Sequence, residues 1–387
     1  MALEGLSLVS LTLLSLVYIA FLQSKGLLSG LQIDGKVFTT KAEQRSTFFD
    51  LAKGVAIIAV VVIHAAALIG FFGTDLPISF LEWNEYLNRA MRFAIPIFFI
   101  SSGALLFLKG LNLNSLKGFY LPKVKRLFLP YAVFSFLATY AKTEGVFKLT
   151  EFIGTALKDL ATGGALVPYW FIPVLFQLYF IYPLVWYLLV VKRISPPKLL
   201  FASFFFSLFS YFLFSDHWFG LSEYLGGLTF FGPYLFFLVL GMVLKPFFFE
   251  NPKEMVGKIK AVGFSYFALA VVFTYFLTFP LQPFNDFFNV RLVYGPVIMI
   301  VILYSYLISK GSKIQRLLEK AGRESLYIYL LHFLIMAPLA EIIFKLKPQF
   351  DLNPIFIFLI LSFSGLFITW GLILGIRKVF FSIYNLS

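Results

Sequence analysis

Apolar positions along this chain fill uninterrupted runs of about 17 to 25 residues, the length a helix needs to cross ~30 Å of hydrocarbon. They predict eleven spans, at about 5–23, 54–73, 93–109, 127–141, 168–191, 198–215, 228–244, 261–279, 291–309, 325–343 and 353–376. Barrel strands alternate apolar and polar positions over about 10 residues, and these runs do not. Pro130 falls one turn into the short 127–141 run, where proline is tolerated better than in a helix centre. Between Val146 and Ala161 the pattern changes. Val146, Leu149, Ile153, Leu157 and Leu160 form one stripe, with Lys148, Glu151, Lys158 and Asp159 elsewhere, which predicts an amphipathic helix on the membrane surface. The expected fold is all-α, a polytopic transmembrane helical bundle.

Composition agrees and narrows the chemistry. The 387 residues are 60% hydrophobic and 13% charged, with mean hydropathy +0.88, whereas soluble domains carry about 25% charged residues. Aromatic residues make up 20%, with 52 Phe, so rings do much of the packing. The absence of cysteine excludes disulfides, thiolate metal sites and an acyl-cysteine intermediate. The first apolar run has neither a basic stretch ahead of it nor a small-residue cleavage site, so it is read as a retained helix rather than a signal peptide.

The net charge of +13 suggests a nucleic-acid footprint only until the charges are placed. With the amino terminus outside, 24 of the 32 Lys and Arg residues fall on one side, loop after loop, from Lys25 to Lys378. The other side receives Arg89, Arg92, Lys142, Lys148, Lys158, Arg291, Lys345 and Lys347. Cytoplasmic loops carry the basic excess, so the rich side and the carboxy terminus are expected in the cytoplasm. The charge is a topology signal facing membrane lipids, and no nucleic-acid partner is expected.

Within the expected spans no Asp, Glu, Lys or Arg lies well inside, which leaves His64 and His332; His217, beside Asp216 in a loop, reads as solvated. His64 follows Lys53 by eleven residues, roughly 16 Å along a helix and close to the bilayer midplane. An imidazole there can serve as a neutral general base, or it can hold two helices together by a hydrogen bond. His332, about seven residues into its span, carries the same two readings. The clusters Lys123, Lys125, Arg126 and Arg316, Lys320, Arg323 are topology anchors that can equally meet an anionic cytosolic ligand. No Gly-rich phosphate loop, HExxH, GxSxG or metal-ligand cluster occurs, so no metal is expected and a nucleotide hydrolase is disfavoured.

Five stretches carry a resemblance. They are Phe49-Asp50-Leu51-Ala52-Lys53-Gly54 followed by an apolar run to His64; Arg92 to Gly103, with Pro96, Phe98-Phe99 and Ser102-Gly103; and Phe119 to Tyr131, with Lys123 and Arg126 ahead of Pro130. Tyr169 to Leu175, and Ser325 to His332, complete the set. Each alone is weak, because apolar helices match by chance, but five in order are specific. Over about 46–378 the chain strongly resembles the membrane-bound acyltransferase 3 family of integral O-acyltransferases. It departs from the family pattern in having Lys53 and Lys123 where arginine is commoner, which keeps charge and loses bidentate geometry.

The resemblance implies a ten-helix acyltransferase core in 46–387, preceded in 1–45 by an extra transmembrane helix and a cytoplasmic linker. It implies a multi-pass protein of a bacterial inner (plasma) membrane, moving an acyl group, often acetyl, from cytosolic acyl-CoA (acetyl-CoA) to a hydroxyl of a glycan or lipid-linked acceptor. In that role His64 is the expected general base and Arg92 orients the acceptor or stabilises developing charge. Lys53, Lys123 and Arg126 are expected to hold the phosphates of coenzyme A, with His332 as a possible second site. Direct transfer is favoured over an acyl-enzyme. With no soluble domain in the loops or after Ser387, the protein is expected to act alone or hand its product to separate partners. The competing class is a transporter or flippase for a polyprenyl-linked sugar, with His64 and His332 as a proton relay; the paired repeats common in transporters are not evident.

Overall fold

A computed structural model describes residues 47–73, 75–112, 115–142, 149–214, 229–249, 295, 298–299, 302, 311–350 and 352–375. Every regular element among them is helical. Six stretches are long and apolar enough to cross a membrane: Thr47–Phe72, Ile78–Lys109, Val167–Val191, Pro196–Phe214, Ser325–Lys347 and Pro354–Gly375, with a shorter apolar helix at Gly232–Leu244. Five of the six coincide with expected runs, while Ile78–Lys109 extends the expected 93–109 back through residues 78–92; the chain is a multi-pass membrane protein. The expected spans 5–23 and 261–279, nearly all of 291–309, His217 and the carboxy terminus lie outside the described residues.

The described residues form two bodies, one from Ser46–Phe98 with Pro252–Ser387, the other from Phe99–Asn251. The first holds α1 (Thr47–Phe72), α2 (Ile78–Met91), the start of α3 (Ala94–Lys109), α10 (Lys313–Arg323), α11 (Ser325–Phe350) and α12 (Pro354–Phe363). Helix α1 is its centre, packed against α2, α10, α11 and α12. The crossing of α1 and α10 depends on two glycines. A Cβ on Gly54 would stand 2.0 Å from the Leu318 carbonyl oxygen, and one on Gly322 would stand 1.7 Å from that of Asp50. Small residues that let backbones touch are the usual means of helix association in lipid, where no hydrophobic force joins helices.

The second body holds the rest of α3, then α4 (Leu116–Lys123), α5 (Leu129–Lys142), α6 (Leu149–Thr162), α7 (Phe171–Trp186), α8 (Pro196–Phe214) and α9 (Leu235–Phe249). Here Gly103 on α3 and Gly241 on α9 make the same kind of crossing, each Cβ position lying 2.0 Å from a carbonyl oxygen of the facing helix, Leu238 and Ile100 respectively. Polar clamps supply the remainder: Gln177 bonds the Thr229 carbonyl and the Phe231 amide at 2.8 and 3.0 Å. The Tyr131 hydroxyl donates to the Leu160 carbonyl at 2.8 Å, and Thr139 to Asp159 at 2.8 Å, fastening the amphipathic α6 to α5. Ile153 and Leu157 of its apolar stripe are exposed.

Two details depart from what the hydropathy pattern predicts. The run at 127–141 continues a helix that begins at Leu116, through a π-helical turn at Val124–Phe128. Pro130 lacks the N–H that would bond the carbonyl four residues back, and the widened turn ahead of it, with Leu129 N–H bonding the Val124 carbonyl, absorbs the defect. The other is α2, a helix not expected at all. Its buried side consists of Asn84 and Asn88, which no hydropathy pattern marks.

Candidate active site

His64 lies on α1 one turn beyond Val60, and His332 on α11 one turn beyond Ile328. His332 is fully buried and His64 partly exposed. The two imidazoles meet: His332 Nε2 is 3.1 Å from His64 Nδ1, with ring centroids 5.0 Å apart. The Phe333 ring stands edge-on to His64 at 5.5 Å.

Geometry assigns the protons. His332 Nδ1 is 2.8 Å from the Tyr329 carbonyl oxygen and 3.0 Å from that of Ile328. Carbonyl oxygens only accept, so this nitrogen carries hydrogen and, in the neutral ring, Nε2 is left as an acceptor. His64 Nδ1 faces that acceptor and also the Val60 carbonyl oxygen at 2.8 Å. It therefore carries hydrogen too, shared between them. The lone pair of neutral His64 falls on Nε2, the nitrogen that faces neither His332 nor its own helix.

Helix α2 braces α1 at this level. Asn88 Nδ2 donates to the Ile63 carbonyl at 2.9 Å and Asn84 Nδ2 to the Ala66 carbonyl at 2.8 Å, one on each side of His64 in sequence. Asn88 turns its Oδ1 to Arg92, accepting from Nε at 3.2 Å and Nη2 at 3.1 Å. Arg92 is thereby tied through one amide to the backbone beside His64. Asn84, Asn88 and Arg92 recur every four residues, the spacing of one helix face. For Asn84 and Asn88 that spacing is legible along the chain, but it is a polar periodicity that hydropathy does not mark.

The expected phosphate-binding cations fall in both bodies. In the first, Lys53 Nζ lies 3.0 Å from Asp50 Oδ1, and Arg323 Nη1 lies 3.9 Å from Asp50 Oδ2. In the second, Lys123 donates to the Phe119 carbonyl at 2.7 Å, and its ammonium lies 3.3 Å above the Phe119 ring, with Tyr179 at 5.6 Å. Burial among these rings, and secondarily the charge of Lys109, push the Lys123 ammonium down to about 8. Arg126 is exposed on the π turn. Of the expected residues, then, the fold brings His64 and His332 into contact and links Arg92 to the chain beside them. It gives Lys53 one partner, Asp50, whose other oxygen meets Arg323, a pairing across α1 and α10 that no pattern along the chain marks.

A family model described as an acyltransferase domain, that of the acyltransferase 3 family, matches residues 46–374. No curated protein and no solved structure matches the chain. The family match runs through α1, α2, α10 and α11, which carry the histidine pair and its supports, and extends over most of the sequence: this chain belongs to the acyltransferase 3 family and is a membrane acyltransferase.

Proposed function

We propose that the chain is an O-acyltransferase of a bacterial inner membrane. It moves an acyl group, acetyl in the first instance, from cytosolic acyl-CoA to a hydroxyl of a cell-surface glycan or lipid-linked acceptor, with His64 as general base. The observation that carries the reading is the contact of the two imidazoles, from which the proton arrangement is inferred. That arrangement leaves His64 Nε2 as a lone pair facing away from its own helix, while Nδ1–H is held by the Val60 carbonyl and by His332.

The acceptor oxygen attacks the thioester carbonyl as His64 Nε2 takes the hydroxyl proton, a general-base step worth about 10²- to 10⁴-fold. The C–S bond then breaks, the ester remains on the acceptor, and the departing thiolate takes from His64 the proton that came from the acceptor hydroxyl. His332 is a positioning residue in this scheme. Its Nε2 accepts from His64 Nδ1–H, which favours the imidazolium as it forms, and the carbonyls of Ile328 and Tyr329 hold His332 in the accepting tautomer. Arg92, held by Asn88, orients the acceptor or offsets charge on the tetrahedral oxygen. Lys53, Lys123 and Arg126 bind donor phosphates. With no cysteine in the chain, direct transfer is the simpler course.

The test is release of free thiol from acetyl-CoA by membranes containing the protein and an acceptor, which a flippase does not produce. His64→Ala, present at normal levels, abolishes that release. Wild-type release by this variant refutes the mechanism.

A further inference from the structure

Helix α10 carries more positive charge than the scheme above uses. Arg316, Lys320 and Arg323 fall at i, i+4 and i+7, one stripe about 10 Å long. All three are exposed, whereas the opposite side buries Gln315, Glu319, Ala321 and Gly322. Leu317, 47% exposed, adjoins the cation stripe, and Ile314, 72% exposed, lies farther round the helix. The helix leads through Glu324 alone into the span Ser325–Lys347. Apolar side chains so exposed at the mouth of a span belong against lipid. The neighbouring stripe is then turned to the headgroups and water.

The helix cannot roll to hide that stripe. Ser312 caps it by accepting from the Gln315 amide at 3.1 Å, Gln315 Nε2 donates to Glu319 at 2.8 Å within the buried side, and Gly322 touches the α1 backbone. At its end, Asp50, 3% exposed, gathers Arg323 from α10 and Lys53 from α1 on its two oxygens. One carboxylate holding two cations leaves net positive charge, and both cations keep exposed surface, 21% for Lys53 and 34% for Arg323. Three like charges at adjacent turns repel one another until an anion of matching length lies across them.

We propose that Arg316, Lys320, Arg323 and Lys53 form a polyphosphate track, positioned by Asp50, and that its ligand is the nucleoside-diphosphate end of the acyl-CoA donor. This rests on the acyl-transfer reading and deepens it, assigning the donor's phosphates to α10 as well as to Lys53. In this body Lys53 alone, only partly exposed, cannot discriminate a thioester on coenzyme A from a shorter one. A track several phosphates long can.

The experiment compares two donors on the full chain in nanodiscs: acetyl-CoA, and S-acetyl-pantetheine, which has the same thioester and no phosphate. Arg323→Gln raises KM for acetyl-CoA about tenfold, the scale of one charge-assisted hydrogen bond to phosphate. It leaves kcat, and KM for acetyl-pantetheine, unchanged. Arg316→Gln and Lys320→Gln, at exposed positions that cannot harm folding as Arg323→Gln could, shift KM in the same direction. Each measurement is made in zwitterionic and in phosphatidylglycerol bilayers. Equal effects on both donors overturn the proposal, as do effects seen only in anionic bilayers, which make the stripe a lipid-headgroup site. Calorimetric binding of coenzyme A separates this from the parent reading. Wild type that binds coenzyme A and releases no thiol sinks acyl transfer alone; variants that bind it as tightly as wild type sink the track alone.

Discussion

Gly322→Ala tests the packing that positions both the track and the histidine helix. A Cβ at 322 would stand 1.7 Å from the Asp50 carbonyl oxygen, 2.7 Å from its carbon and 2.8 Å from the Gly54 amide nitrogen. All three are backbone atoms, so no side chain can swing aside. Reaching even a 3.0 Å contact with that oxygen requires α1 and α10 to part by roughly 1.3 Å locally, and a gap of 0.5–1 Å already forfeits about a quarter to a half of the dispersion energy across it. Overpacking of this kind costs about 1–3 kcal/mol, and collision with backbone places it at the upper end. The better helix propensity of alanine returns about 1 kcal/mol, leaving a net loss of about 2 kcal/mol. Gly371→Ala is the matched control, since a Cβ there meets nothing within 4 Å. Thermal unfolding followed by intrinsic tryptophan fluorescence in detergent measures both. The expected result is a clear loss of midpoint for Gly322→Ala and none for Gly371→Ala. A Gly322→Ala protein as stable as wild type refutes the crossing.

Two further outcomes follow from the site. Lys123, held down to about 8 by burial and then by Lys109, is charged below that pH and neutral above it. If its ammonium meets donor phosphate, kcat/KM for acetyl-CoA falls as pH rises through about 8, and Lys123→Arg, which stays charged, flattens the fall; identical profiles for the two proteins exclude the contact. Asn88→Leu removes the oxygen that holds Arg92 and the amide that braces Ile63. It should lower kcat by about tenfold or more with KM for the donor unchanged, and a variant with normal kcat shows that Arg92 needs no such support.

Sequence pattern alone determined the helical class, the membrane and the residue types available for chemistry. A run of apolar residues long enough to span hydrocarbon is a local property, and so is the rarity of ionisable side chains within it, which singled out His64 and His332. The ordered stretches from Phe49 to His332 carried the family for the same reason, each being short and contiguous. The pairings were decided by the tertiary structure. His64 and His332 stand 268 positions apart, and only the packing of α1 against α11 makes one the hydrogen-bond acceptor of the other. Asp50 stands in sequence only as one residue of the Phe49–Gly54 stretch; the Gly54–Gly322 crossing brings Arg323 to it and makes it a bridge. Helix α2 escaped hydropathy because it buries asparagines against backbone carbonyls of α1, a use of polar groups visible only once the partner helix is in place. Side-chain spacing along one helix is written in the chain, whereas which face meets which neighbour depends on close backbone approach between distant segments.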